Sequence, residues 1–237
     1  MIRSFLFTTI LFVSVLPWCL GVIAARVFGR KASLAVARNW VEVNLWCCKA
    51  ICGLGMSVEG MENLPAQTGV VYIKHSSAYE TLAQFLLTPD QTWVLKRELV
   101  WAPFFGWAVS CLSPIAINRS AGQSAVQQVL RQGTERLAEG TWVMIFPEGT
   151  RMGAGETRRY GVSGALLAKE AGVLITPVAH NAGYFWPRRG LRKKPGTIRF
   201  IIGPPVDPEG RDPRDVNREL QDWIEGKVAE IAATVPE

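Results

Sequence analysis

Histidine is almost missing from this chain of 237 residues: there are two, His75 and His180. Cysteine is sparse as well, and the five present (Cys19, Cys47, Cys48, Cys52 and Cys111) form an odd set with no paired metal-ligand spacing. These shortages argue against a zinc site and against a disulfide framework, so no metal is expected and the thiols read as reduced. Charged residues make up only 19 % of the chain against 49 % hydrophobic, and the mean hydropathy is +0.14. That is apolar for a soluble protein and modest for one that crosses a membrane many times. There is no internal repeat, no low-complexity tract and no G-x-S-x-G nucleophile elbow; Gly161-Val162-Ser163-Gly164 misses that pattern by one residue. Tryptophan, in contrast, is plentiful at nine residues, and its apolar ring with one polar edge suits a membrane interface.

From Ser4 to Ala25 no residue carries a charge. As a helix the stretch would be roughly 33 Å long, enough for a bilayer core of about 30 Å. Pro17 and Gly21 interrupt it, so a kinked or partly inserted helix is the competing form. A cleaved signal peptide competes too, since Arg3 precedes the apolar run and Ala24 and Ala25 follow it. The next segment, however, is also membrane-like. Over Lys31 to Leu54, Lys31, Arg38, Glu42 and Lys49 fall within roughly 40° of one another at about 100° per residue, and the remaining surface is mostly apolar. A helix with one thin charged stripe packs on the first helix or lies in the bilayer interface. Residues 1–54 are therefore expected to form a membrane-associated helical hairpin. Arg26, Arg30 and Lys31 outnumber Arg3, which favours a cytoplasmic position for the C-terminal domain.

Beyond Met56, β-rich runs alternate with helical patterns. Strands are expected at Ser57–Gly60, Gly69–Lys74, Thr92–Leu95, Ile115–Asn118, Trp142–Phe146, Leu174–Ala179 and Thr197–Ile202. Helices are expected at Tyr79–Leu87, Leu99–Ser110, Ser124–Ala138, Ser163–Ala171 and Asp215–Ala233. The alternation predicts an α/β domain over residues 55–237, with a largely parallel central sheet flanked by helices.

Several of these strands end in an ionisable residue: His75 after VVYIK, Lys96 after TWVL, Arg119 after IAIN, and Glu148 and Arg151 after WVMIF. In open α/β sheets, ligands bind outside the carboxyl ends of the strands. Parallel strands would bring these side chains to one rim with more positive than negative charge, a balance that suits an anionic group such as phosphate. Singly, each charge reads as a solvated strand end; together they read as a site.

His75 and Glu80 would lie on different faces of one continuous helix. They meet only if His75 sits at the strand end and Glu80 in the first turn of the following helix, leaning back toward the imidazole. A carboxylate there would orient the ring as a general base. Ser77-Ala78-Tyr79-Glu80 also fits a capping box, with Glu80 folding back to the Ser77 amide. Spacing alone leaves both readings open. Ser76 or Ser77 is a conceivable nucleophile beside His75, but no elbow supports one; His180 in PVAHNAG reads as structural.

His75-Ser-Ser-Ala-Tyr-Glu80 together with Phe146-Pro-Glu-Gly-Thr-Arg151 resembles the glycerolipid acyltransferase family, which includes bacterial 1-acyl-glycerol-3-phosphate acyltransferases. Lys96-Arg-Glu-Leu99, Ile117-Asn-Arg119 and Ile175-Thr-Pro-Val178 extend the likeness from about Met56 to the Pro204 region. The family's usual motif is H-x-x-x-x-D, whereas this chain has Glu80, one methylene longer. The resemblance implies transfer of a fatty acyl group from a thioester, acyl-CoA or acyl carrier protein, to the sn-2 hydroxyl of lysophosphatidic acid. It implies no resident cofactor. His75 would be the base and Glu80 its orienting partner; Glu148, Gly149 and Thr150 would line the acceptor pocket, with Glu148 on the glycerol, and Arg151, Lys96 and Arg119 would hold the phosphate. It further implies a bacterial inner membrane, with the catalytic domain on the cytoplasmic side. Acylation of glycerol 3-phosphate or another lysolipid, and a non-catalytic lipid-binding protein, are the alternatives. The segment FWPRRGLRKKPG, with Arg188, Arg189, Arg192, Lys193 and Lys194 beside Trp186, is expected to dock on anionic lipid. Nucleic acid is not expected, since no recognisable motif accompanies the basic charge.

Overall fold

In the computed structural model, which describes residues 1–235, two long helices lead into a seven-stranded α/β domain. Helix α1 is Ile2–Ala25 and α2 is Arg30–Cys52, joined by a turn that ends at Gly29. Helix α1 is continuous through Pro17 and Gly21. The stretch Ile2–Phe28 contains an 18-residue window of mean hydropathy 2.2 and is the one helix among the described residues long and apolar enough to cross a membrane. Much of its apolar surface is open, including Phe5, Phe12, Val13 and Phe28.

The strands are β1 Leu54–Glu59, β2 Val70–Ile73, β3 Gln91–Lys96, β4 Ile115–Ile117, β5 Trp142–Ile145, β6 Ile175–His180 and β7 Gly196–Ile202. They are ordered β1-β7-β6-β2-β5-β3-β4. Every neighbouring pair is parallel except β6 and β7. The α/β expectation holds, with this antiparallel pair inside an otherwise parallel sheet. The remaining helices are α3 Tyr79–Ala83, α4 Phe105–Cys111, α5 Gln123–Ala138, α6 Ser163–Ala171, α7 Ala182–Phe185 and α8 Pro213–Ala232. The helix expected over Leu99–Ser110 is instead a 3-10 turn at Arg97–Trp101 followed by α4. Pro103 forces the preceding Ala102 into an extended conformation, and Phe104 takes a positive φ of 60°.

Alternation along β2 organises the core. Val71 and Ile73 pack with Phe7, Val41, Leu45 and Cys48 of α1 and α2. Val70 and Tyr72 face the other layer, with Val216, Leu220 and Ile224 of α8 and the residues of α6. The N-terminal hairpin thus shares one hydrophobic core with the sheet. Charged residues of α2 serve the same purpose: Arg38 of the stripe donates to the carbonyls of Thr88 (3.1 Å) and Pro89 (2.7 Å), and Arg30 at the helix start pairs with Asp90.

Candidate active site

Strands β2, β5, β3 and β4 are consecutive and parallel, so their carboxyl ends share one rim. His75 follows β2, Lys96 ends β3, Arg119 follows β4, and the turn of residues 146–151 follows β5. The expected convergence is present: His75, Lys96, Arg119 and Arg151 all line one cavity of about 410 Å³.

The chain leaves β2 in an extended turn, and α3 starts at Tyr79. That geometry brings Glu80 back to His75, with Oε1 2.9 Å from Nδ1. The same oxygen accepts from the amides of Ser76 (3.2 Å) and Ser77 (3.0 Å). Ser77 Oγ accepts from the Tyr79 amide, not from that of Glu80, so only the glutamate half of a capping box forms. Glu80 is fully buried and can only accept while ionised, which makes Nδ1 the protonated nitrogen and leaves Nε2 with its lone pair. The imidazole stacks on Phe146, with centroids 4.2 Å apart. Orientation from one side and packing from the other hold the ring at the cavity wall.

The turn after β5 is fastened by its backbone. Gly149 takes a φ of +69°, a left-handed conformation that a side chain would strain, and its amide closes onto the Phe146 carbonyl at 2.9 Å. Its carbonyl accepts from Arg119 at 2.7 Å. The Met152 amide donates to the His75 carbonyl at 2.7 Å, stitching this turn to the histidine. Arg151 donates to Thr81 Oγ1 at 3.2 Å, and its Nε is buried without a partner among the described residues. The Arg151 carbonyl is held by Arg188 at 2.6 Å. Thr150 is exposed on the turn.

Glu148, expected on the glycerol, is not among the residues that line the cavity. Its carboxylate is fully enclosed, accepts from the His75 amide at 3.2 Å and lies 3.2 Å from Lys74 Nζ. Burial pushes it up to about 7 despite the nearby ammonium. The strand-to-turn backbone buries the side chain behind His75, so it braces the histidine instead of facing the cavity. His180 is structural, as expected: Ala182 donates to its Nδ1, so Nε2 carries the proton and donates to the Lys74 carbonyl at 2.7 Å. Full burial lowers its pKa.

Apart from Thr81 and Gln84, the rest of the cavity is apolar. Val15, Trp18, Cys19 and Val22 come from α1, Ala37, Trp40 and Val41 from α2, and Phe105, Ala108 and Val109 from α4. It runs from a histidine and three cations into a hydrocarbon-lined interior, and its volume falls in the usual range for ligand sites. Of the expected basic loop, Lys193 is not free to meet lipid. It is buried over Trp186 (4.4 Å) and Phe7 (5.3 Å) and donates to Thr8, which ties the start of α1 to the domain. Arg189, Arg192 and Lys194 remain exposed. Lys74, Thr81 and Arg188 were not expected at the site. A lysine closing an otherwise apolar strand was the one available signal for Lys74.

The chain belongs to the Acyltransferase family, whose sequence model matches residues 55–181. It is an enzyme, an acyltransferase. It is 39 % identical over 236 residues to the 1-acyl-sn-glycerol-3-phosphate acyltransferase of Pseudomonas aeruginosa, covering 98 % of this chain and 92 % of that one. It is 30 % identical over 172 residues to the mouse (Mus musculus) 1-acyl-sn-glycerol-3-phosphate acyltransferase alpha, covering 71 % of this chain and 60 % of the mouse protein. The fold is shared with the crystal structure of PlsC, the 1-acyl-sn-glycerophosphate (LPA) acyltransferase of Thermotoga maritima. The TM-score is 0.80 at 21 % identity, covering 100 % of this chain and 97 % of that one. The apolar first helix together with this family membership indicates membrane association.

Proposed function

We propose that the enzyme transfers a fatty acyl group from a thioester, acyl-CoA or acyl carrier protein, to the sn-2 hydroxyl of 1-acyl-glycerol-3-phosphate, giving phosphatidic acid. The observation that carries this reading is the pairing of His75 with Glu80 on the wall of a cavity whose mouth holds Lys96, Arg119 and Arg151. The names of the Pseudomonas and mouse relatives support the same acceptor.

An alcohol is a poor nucleophile at neutral pH. His75 Nε2 takes the hydroxyl proton as the oxygen attacks the thioester carbonyl, and Glu80 holds the imidazolium that forms. The tetrahedral intermediate collapses, the new ester C–O bond remains, and the C–S bond breaks. The thiolate leaves and is protonated by His75. A thiol with a pKa of about 8.5 is a good enough leaving group to need little help. No acyl-enzyme is required. Arg151, Lys96 and Arg119 hold the acceptor phosphate, with Gly149 and Thr150 at the edge of its pocket, and Glu148 braces His75 from behind. The acyl chain lies in the apolar interior between α1, α2 and α4. We place the enzyme at the cytoplasmic face of a bacterial inner membrane, with the open face of α1 in lipid and Arg189, Arg192 and Lys194 against anionic headgroups.

The test is product formation from palmitoyl-CoA with lysophosphatidic acid, glycerol 3-phosphate and lysophosphatidylcholine supplied in parallel. Phosphatidic acid formed from the first acceptor at a clearly higher kcat/KM supports the assignment. Preference for either of the others reassigns the acceptor.

A further inference from the structure

The residue before the histidine does more than end a strand. Continuing the alternation of Val70 and Tyr72, Lys74 projects to the α8 side of the sheet while His75 stays on the cavity side. Its side chain is 2 % exposed, and its ammonium meets three elements at once. It donates to both carboxylate oxygens of Glu225 on α8, at 2.7 and 2.9 Å, and to the Glu156 carbonyl at 2.8 Å. It lies 3.2 Å from Glu148 on the turn after β5. Glu225 in turn accepts from Thr157 Oγ1 (2.9 Å) and Tyr160 OH (2.8 Å), so the second half of the loop of residues 152–160 is clamped to α8. Burial and the neighbouring carboxylates push the Tyr160 phenol up, which keeps it a donor.

We propose that Lys74 is a positioning residue of the acyl transfer, its buried ammonium joining α8, the 152–160 loop and the Glu148 turn behind the His75 backbone. This rests on the acyltransfer reading above. The route to the chemistry is short: Glu148 accepts from the His75 amide, and the loop's first residue, Met152, donates to the His75 carbonyl. One peptide group of the histidine is thereby bonded to a direct partner of Lys74, Glu148, and the other to Met152, four residues before the Glu156 carbonyl that Lys74 holds. A methylene chain with an apolar end would fill the space but leave the Glu148 carboxylate buried without a cation. Such a group takes up a proton or withdraws toward water, and either response loosens its hold on the His75 amide. Glu225, partly open to solvent, tolerates the loss better.

The experiment compares Lys74→Met, Lys74→Met/Glu148→Gln and Glu225→Gln with wild type in the palmitoyl-CoA and lysophosphatidic acid assay. Expected for Lys74→Met is a fall in kcat of about 10-fold or more, with both KM values within about 3-fold. Expected for the double variant is recovery of at least several-fold over Lys74→Met, because the neutral amide introduced by Glu148→Gln still accepts from the His75 amide without a buried charge. Glu225→Gln, which removes one arm of the clamp, lowers kcat by several-fold and supplies the test should Lys74→Met fail to fold. A folded Lys74→Met or Glu225→Gln variant with kcat within about twofold of wild type overturns the proposal, as does a double variant no better than the single one. Imidazole 15N spectra give a readout independent of turnover, and two histidines make the assignment simple with a His75→Ala control. His75 signals unmoved by Lys74→Met overturn the positioning role even if the acceptor has been misassigned; inactive wild type, in contrast, counts only against the acyltransfer reading.

Discussion

Glu80 Oε1 lies 2.9 Å from His75 Nδ1 while also receiving the Ser76 and Ser77 amides. One oxygen therefore fixes both the tautomer of the histidine and the backbone turn that presents it. The extra methylene relative to the family's usual aspartate is absorbed within this turn, since the carboxylate reaches all three donors.

Glu80→Gln keeps an oxygen for the turn and for Nδ1–H but removes the charge that stabilises the imidazolium. Expected is a loss in kcat of about 10²-fold with circular dichroism and melting temperature close to wild type. Glu80→Asp keeps the charge but shortens the reach by a little over 1 Å, so its loss is expected to be smaller, about 10-fold. Full activity in Glu80→Gln would contradict any electrostatic role.

Truncation of the cationic rim separates binding from chemistry. Arg151→Gln removes a charged donor on the cavity wall, and a rise of about 10- to 100-fold in KM for lysophosphatidic acid is expected, since such bonds contribute about 1.5–3 kcal/mol. Arg119→Gln and Lys96→Gln should each cost less, because Arg119 is shared with the Gly149 carbonyl and Lys96 lies 3.5 Å from Glu98. Steady-state kinetics at varied acceptor concentration checks the order.

The buried Glu148 makes stability depend on pH with a definite sign. It ionises near 4.5 when unfolded and at about 7 in the fold, so across that window the folded state binds more protons. Stability from this group therefore falls as pH rises from about 4.5 to about 7. Glu148→Gln removes the dependence, and its stability relative to wild type should improve over the same window by up to about 3 kcal/mol. Urea unfolding midpoints at the two ends of the window give the difference; a constant offset would contradict the burial.

Filling the apolar interior should shorten the accepted chain. Ala108→Phe places a ring where α4 faces α1 and α2 across the cavity. With donors from octanoyl- to palmitoyl-CoA, kcat/KM for the long chains is expected to fall by about 10-fold or more while the short ones change little. Equal losses at every length would place the acyl chain elsewhere.

The strand ends are legible in the sequence itself. VVYIK, TWVL, IAIN and WVMIF each announce a strand with an ionisable end, and the parallel order places those ends together. What sequence does not carry is relation at a distance. The direction of β7 against β6 is set by the connection between them and not by either strand's pattern. The Lys74–Glu225 pair joins residues 151 positions apart. The break at Pro103 is visible in principle, since proline restricts its predecessor, but the apolar periodicity of Leu99–Ser110 conceals it. By its motif Glu148 is expected to face substrate; its burial 3.2 Å from Lys74 is a relation that the motif does not carry. The pairing and capping readings of Glu80 look like rivals because spacing says nothing of how many donors one oxygen receives.

The most direct measurement is thiol release from palmitoyl-CoA, with and without lysophosphatidic acid, for wild type and His75→Ala in detergent micelles. Expected is acceptor-dependent release that forms phosphatidic acid and falls by about 10³-fold or more in the variant. Release that persists in folded His75→Ala, or that ignores the acceptor, would contradict a base at His75.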